Sequence, residues 1–488
     1  MPAITTPLPG LGKPYYNVDS TSLTSNCELV RDGYIDEFGA FHKRPGFKLF
    51  SDLGTSEKVD GVYSSDNEDL GIYVSNGNIF KGTDKYGAKT DITGDKLTVG
   101  TRVSFDEIRS GGSNYLFMAN NCTPIFTNFT SNTQKLSTTS TPPLTGSGTP
   151  PSNCTHIIKF FSYLIGNNQG SESWAFSYPG DPFRWDAADS YDHTDQQNVL
   201  GIYKGSNFFT VCGRSLLDVW VNSQTPKDPF LSPMKAQYNQ VGLSSPYAVS
   251  VIEGNKLIFL DKTRRIVLIE GNSFIDMGLP INKELQNLTT VADANAFTMA
   301  IDGRSFYIIS SPQDKRTFAY DFISKAWYEW SYWDESSASY GIFRANCYTY
   351  SHAWNKHLIG DISNGKIYEM DSDHYTDDGS VINAEIITGH VNYGSDAILK
   401  RPKSVVARIK RGVGKEGALY EVPKMFIRHR DNGESQWSNL KEISLGAVGD
   451  TEFRVVLYQS TGQYYTRQYN IKMPDPTRFV LSGIWEEF

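Results

Sequence analysis

An all-β chain is predicted from three observations. Short runs rich in Val, Ile, Phe, Tyr and Trp recur along most of the sequence, Gly, Asn and Asp separate them, and only one segment makes a good helix candidate. Aromatic residues make up 13% of the 488, with 28 Tyr and 27 Phe beside 42 Gly, a mixture suited to pleated surfaces joined by tight turns. The expected architecture is a β-propeller-like domain with an N-terminal extended arm and a C-terminal antiparallel β domain.

The elements follow in order. Residues 1–57 begin with Pro- and Gly-punctuated sequence that holds no long helix, then run through NCELVRDGYIDEFGAFHKRPGFKLF, read as an arm feeding a hairpin. From Lys58, runs such as GVYSS, LGIYVSN and NIFKG form a meander that opens the propeller-like domain, 58–380. Inside it, 130–153 is nearly all Ser, Thr, Pro and Gly and lacks the apolar residues that offset ordering entropy, so an exposed loop is expected. KLIFLDKTRRIVLIEGN reads as two strands joined through Lys262-Thr263-Arg264-Arg265. Ile281 to Ile301 reads as one short helix returning to a strand. The strand texture resembles propeller blades but has no fixed period, so blade number is not readable. After Asp378 the texture changes, and 381–488 is expected to be the C-terminal β domain.

Composition narrows the function classes. The chain carries 46 basic and 54 acidic residues, a formal charge of -8, against the excess of Lys and Arg a general nucleic-acid coat requires. Cys27, Cys122, Cys154, Cys212 and Cys347 are widely spaced and odd in number, which suggests reduced thiols rather than a disulfide framework or CxxC metal site. The N-terminus lacks a basic flank followed by an apolar core, and no run reaches membrane-spanning length, so a soluble, unprocessed chain is expected. No G-x-S-x-G elbow, P-loop or dinucleotide fingerprint occurs.

Several clusters invite a chemical reading. WDAADSYDHTD spaces Asp186, Asp189, Asp192 and Asp195 by three around His193, yet lacks calcium-loop spacing and a second His; DSDHYTDDG starts like a calcium loop and fails at Tyr375 and Thr376. His352 and His357 stand at the wrong interval for a helical zinc motif. Solvated turns and ordinary strand histidines account for all three, so no catalytic, cofactor or metal residues are assigned. The aromatics of AWYEWSYW, Trp327 to Trp333, are expected to pack between sheets. Lys400, Arg401, Lys403, Arg408, Lys410 and Arg411 form a possible charged interface, or the outer face of a half-buried strand. Finally, Asp431-Asn432-Gly433-Glu434-Ser435-Gln436-Trp437 nearly spells an Asp-box, the turn in which Asp bonds turn amides, Gly takes a left-handed conformation and Trp packs between strands. Gln436 breaks the spacing and only one copy is present. Asp431, Gly433 and Trp437 are therefore expected to build a turn that anchors the C-terminal domain.

Three passages together resemble one family. RPGFKLFSDLG at 44–54, IDGRSFYIISSPQDKRTFAYDFISKAWYEWSYW at 301–333, and the closing stretch from RDNGESQWSN to Pro474-Asp475-Pro476 are similar, in order, to landmarks of the tail hub, or packaged-DNA stabilisation, proteins of short-tailed bacteriophages. The Ser/Thr/Pro-rich stretch at 130–153 and QSTGQYYTRQYN near the end depart from that pattern. The resemblance implies a non-enzymatic virion tail component, made in the host cytoplasm, that needs no cofactor. It implies a six-fold ring below the portal and head-to-tail adaptor, continuing the channel for passing double-stranded DNA and docking tail fibres or spikes and the tail tip. The alternative is a propeller glycosidase or sialidase, or a carbohydrate-binding propeller, motivated by the near Asp-box and the strand texture.

Overall fold

The computed structural model describes residues 6–7, 27–194, 196–225, 228–232, 241–252, 256–270, 273–393, 395–414 and 420–488. Within them the chain is all-β, and its larger part is a propeller-like ring of seven sheets. Blades one to five occupy 59–91, 104–135, 157–192, 201–231 and 249–276, each a four-stranded antiparallel meander. Blade six occupies 295–329. Blade seven takes three strands from 345–371, and its outer strand, Gly46–Asp52, comes from near the N-terminus. That strand pairs antiparallel with Lys366–Asp371, so the two ends of the ring are held by a sheet rather than by a loop.

The ring closes through polar contacts between neighbouring inner strands. Val103 N–H donates to Asp60 O at 3.0 Å, and Ile157 N–H to Ser104 Oγ at 3.1 Å. The Tyr203 hydroxyl lies 3.1 Å from His156 Nε2 and donates to Pro246 O. Ala296 N–H donates to Tyr247 O at 2.8 Å, Asn295 Nδ2 to Asn346 O at 2.6 Å, and Asn346 Nδ2 to Val59 O at 2.7 Å, which returns to the first blade. Turn chemistry repeats where the blades bend. An Asp at a strand end accepts the N–H two residues on, as in Asp52 to Gly54, Asp261 to Thr263, Asp321 to Ile323 and Asp361 to Ser363, at 2.6–2.8 Å. Such Asx turns stabilise a chain reversal without a specific dipeptide. They explain how acidic residues serve a meander whose period is not regular.

The C-terminal part is a sandwich of two sheets. One sheet orders Gly33–Ile35, Phe41–Lys43, Val480–Glu487, Ser404–Ile409 and Arg454–Gln459, with Thr6–Pro7 also pairing to Val480–Glu487. The other orders Leu29–Arg31, Ala384–Ile387, Arg467–Met473, Lys424–Asp431 and Lys441–Ser444. Leu29–Arg31 also runs parallel to Ala326–Glu329, through Arg31 opposite Glu329, so blade six and this sheet are one nine-stranded sheet. A single apolar core spans the junction: Phe306 and Ile308 of blade six share it with Ile386, Ile471 and Leu481 of the sandwich. A continuous sheet over a shared apolar core joins the two parts far more firmly than a linker would. The 1–57 segment, where described, is thus divided between the sandwich and blade seven.

Two further sequence expectations meet the structure here. Helical turns at Leu279–Ile281 and Asn282–Asn287 lead into the strand Asn295–Ile301, as the pattern suggests. The 130–153 stretch is mostly exposed, as expected, but it is pinned to the blades at several points. Gln134–Lys135 forms the outer strand of blade two, and Leu136 and Leu144 are buried beside Phe183 and Trp185. Thr145 N–H donates to Phe183 O at 2.7 Å, while Trp185 N–H donates back to Thr145 O at 3.0 Å. Two leucines and a backbone clasp suffice where composition alone suggests too little apolar surface.

Candidate functional site

The most highly organised polar centre lies at the junction of propeller and sandwich. Arg44 is fully buried and uses all five N–H donors. Nε donates to Asp32 at 2.9 Å, Nη1 to Asp377 at 2.9 Å and Pro45 O at 3.1 Å, and Nη2 to Asp377 at 2.5 Å and Ser331 O at 2.8 Å. Burial pulls its pKa down, but Asp377 and Asp32 outweigh that and hold it above the usual guanidinium range. Asp32 also accepts the Ser331 N–H at 2.8 Å and the Ser331 hydroxyl at 2.5 Å. Lys43, buried beside it, donates to the carbonyls of Met473, Pro474 and Asp475 at 2.8–3.3 Å. Gly46 is required next to this centre, because a Cβ there would meet Thr376 O at 2.1 Å. Arg44 joins residues 32, 331 and 377, and Lys43 beside it reaches residues 473–475, a convergence that local pattern reading does not detect. The only sequence trace is the RPGF run itself.

A turn stands at the expected position, with partners other than those expected. Strand Lys424–Asp431 ends in Asn432 and Gly433, both left-handed at φ 54° and 76°. The Asp431 carboxylate does not bond the turn amides; it accepts Nε and Nη2 of buried Arg467 at 2.6 and 2.7 Å, and the Glu434 N–H bonds the Asp431 main-chain oxygen. Trp437 does not pack between strands either. It is half-buried, with Arg430 4.6 Å and Arg428 5.1 Å from its ring centroid. The one-residue insertion at Gln436 displaces the indole from the Asp-box position onto an arginine face. The turn also lies in the sandwich, outside the propeller.

The basic stretch divides by burial. Val405, Ala407 and Ile409 face the core, whereas Arg401, Lys403, Arg408 and Lys410 are exposed. Lys400 leaves the expected interface: it is buried, and its ammonium donates to Tyr465 O at 2.8 Å and to Ser395 O. Arg411 is committed to Asp450 at 2.8 Å and Glu452 at 3.3 Å. What remains is a groove of about 330 Å³ on the outer face of the sandwich, lined by Val406, Arg408, Phe453, Arg454, Trp485 and Glu487. Phe453 is 54% exposed, and Gly483 lets the Trp485 indole lie against the strand, where a Cβ would meet the ring at 3.0 Å. Aromatic and arginine side chains in one groove are the composition of interaction hot spots.

The remaining clusters have structural partners. Asp186 accepts Ser147 N–H at 3.0 Å and Arg184 Nε at 3.1 Å, His193 is buried, and Asp195 lies outside the described residues. Asp371 pairs with Lys48 at 2.9 Å and caps Asp373 N–H at 3.0 Å. His357 Nδ1 lies 2.9 Å from the Tyr348 hydroxyl, and His352 meets the Tyr350 ring edge-on. Trp327, Tyr328 and Trp330 are buried in the sheets as expected, while Tyr332 and Trp333 are partly exposed. Among the described residues, no helix is long and apolar enough to cross a membrane.

No family model and no curated protein matches the chain. Among solved structures, it is similar to the computationally designed Ika8 protein at 8% identity and TM-score 0.41, over 66% of this chain and 99% of that one. It is also similar to the extracellular domain of a hybrid two component system from B. thetaiotaomicron, at 10% identity and TM-score 0.46, over 70% and 46%. YCF48 from Cyanidioschyzon merolae matches at 10% identity and TM-score 0.40, over 67% and 98%. The architecture itself, an all-β propeller-like ring carrying a β-sandwich, is defined by the strand order above.

Proposed function

We propose that the chain is a structural tail hub of a bacteriophage virion, a ring subunit that extends the DNA channel below the portal and adaptor. It retains packaged DNA and docks the tail appendages. The observation that carries this reading is the convergence at Arg44. Arg44 of the first passage donates to Ser331 O of the second, and Lys43, the residue just before the first passage, donates to the Pro474 and Asp475 carbonyls of the third. Landmarks scattered over more than 400 residues of sequence thus serve one junction, which supports treating them as a single family pattern rather than three chance matches.

A ring needs one face of each subunit to meet a different face of the next. The groove around Trp485, with Arg408 and Arg454 at its rim, has the chemistry for one half of such a contact. The net acidic chain also suits a channel through which DNA passes without sticking. The near Asp-box no longer favours the sialidase alternative, since Asp431 is engaged by Arg467 in the sandwich.

Light scattering of the purified chain, alone and with the portal–adaptor complex, tests the reading. Ring formation on the adaptor is the expected outcome, and R408E or W485A should weaken it while leaving the circular dichroism spectrum unchanged. A chain that stays monomeric and never joins the complex rejects the proposal.

A further inference from the structure

Arg102 precedes the inner strand of blade two, yet its Nη1 donates to Ala296 O at 2.7 Å and to the Asn295 side-chain oxygen, both in the inner strand of blade six. Blades two and six lie nearly opposite each other in the ring, so this side chain crosses the axial channel. There it borders a cavity of about 250 Å³ whose other walls come from the inner strands of blades two to five, among them His156, Ile157, Tyr203, Tyr247 and Val249.

The pairing of Arg102 is incomplete. Arg31, Arg44, Arg304, Arg316, Arg344 and Arg467 each meet at least one carboxylate. Arg102 meets none among the described residues, and both of its hydrogen bonds leave from Nη1. Its Nε and Nη2 form the side edge with which a guanidinium grips a carboxylate or phosphate in two parallel bonds. Burial lowers its pKa, and the groups opposing this are Cys347, Tyr203 and Tyr247, none of them an acid at neutral pH. Asp106 is paired with Lys204 on the same wall, and burial, followed by Arg102 itself, pushes His156 down to about 3, so it is neutral. The half-buried Arg102 therefore brings to the cavity a positive charge with no carboxylate bonded to it, at a point a small ion can reach, and partial burial holds an added anion more strongly than an open surface does.

We propose that the axial channel contains an oxyanion site, in which the Nε and Nη2 edge of Arg102 receives a small carboxylate or phosphate group. Val249 and Ile157 supply apolar wall, and the rings of His156 and Tyr247 stack beside it with centroids 5.4 Å apart. The volume admits a phosphate-sized ion with a few waters.

Thermal unfolding of the full chain tests this, with sodium phosphate in one arm, sodium acetate in the other, and ionic strength held constant with sodium chloride. The midpoint is expected to rise saturably in at least one arm, as preferential binding to the native state requires. The arm that responds tells whether the site prefers phosphate or carboxylate. In R102Q, which retains a donor toward Asn295 and Ala296, the apparent affinity should fall at least tenfold. No saturable rise in either arm, or an equal rise in R102Q, overturns the proposal. Should R102Q not fold, crystals of the unmodified chain grown with selenate decide the matter. An anomalous peak within hydrogen-bond distance of Arg102 supports the site, and peaks only elsewhere refute it.

Discussion

Arg44 and Arg102 are both arginines enclosed by strands, and they show two ways of placing a charge inside an all-β fold. Arg44 sits between two domains with two carboxylates and every N–H donor used. Arg102 sits on the propeller axis with neutral acceptors at one nitrogen only. The axis has a second incomplete charge, because Asp60 is buried with Oδ1 unbonded and Lys58 only at 4.0 Å. The difference teaches that a charge with all its donors used holds two parts of the molecule together, whereas Arg102, with one nitrogen engaged, keeps donors to spare.

The largest test of that contrast removes the locked charge. Arg44→Met leaves Asp32 and Asp377 buried without a cation, and should cost about 3–5 kcal/mol in urea unfolding. A cost below about 1 kcal/mol would show that the junction is not held by this centre.

The next test uses pH. Burial pushes the Asp60 carboxyl up to about 6, above the ordinary aspartate range, so the native state binds its proton more tightly than the unfolded chain. Its contribution to stability is therefore present below about pH 4 and lost as the pH rises through 6. Asp60→Asn, which does not ionise, should be more stable than the parent by about 2 kcal/mol at pH 7.5. The two should converge near pH 4. A gap that does not change with pH would contradict the burial argument.

Smaller effects complete the series. Arg102→Met gives up two hydrogen bonds but also removes a half-buried charge, and leaves no bonded carboxylate behind, so it should change stability by no more than about 1 kcal/mol. Equal losses in Arg44→Met and Arg102→Met would erase the distinction drawn between the two sites. Gly433→Ala forces an L side chain into the left-handed turn at φ 76° and should cost about 1 kcal/mol, visible as a small fall in unfolding midpoint.

How far the sequence could be read follows from interaction range. The strands of blade five and their reversal around Lys262 to Arg265 were readable, because apolar runs and a polar turn lie within a few residues of each other. The clasp at 130–153 was not, since Leu136 and Leu144 acquire their value from Phe183 and Trp185, some forty residues on. Lys400 looked like a surface charge because a basic run suggests solvent. Only the fold brings the carbonyls of Ser395 and Tyr465 to its ammonium. For Asp431 the turn geometry was local and was correctly expected, while its partner Arg467 lies 36 positions away.

By itself, the sequence determined the all-β class, the antiparallel meander, the left-handed Gly433 turn and the short helix before Asn295. Each depends on propensities and periodicities that act within one strand or turn. Tertiary structure decided the seven-blade closure by Gly46–Asp52, the fusion of blade six with the sandwich through Leu29–Arg31, and which buried arginines are paired. Those depend on strand edges and charges that meet only after hundreds of intervening residues have been folded away, and no local pattern records which edge or which carboxylate will be there.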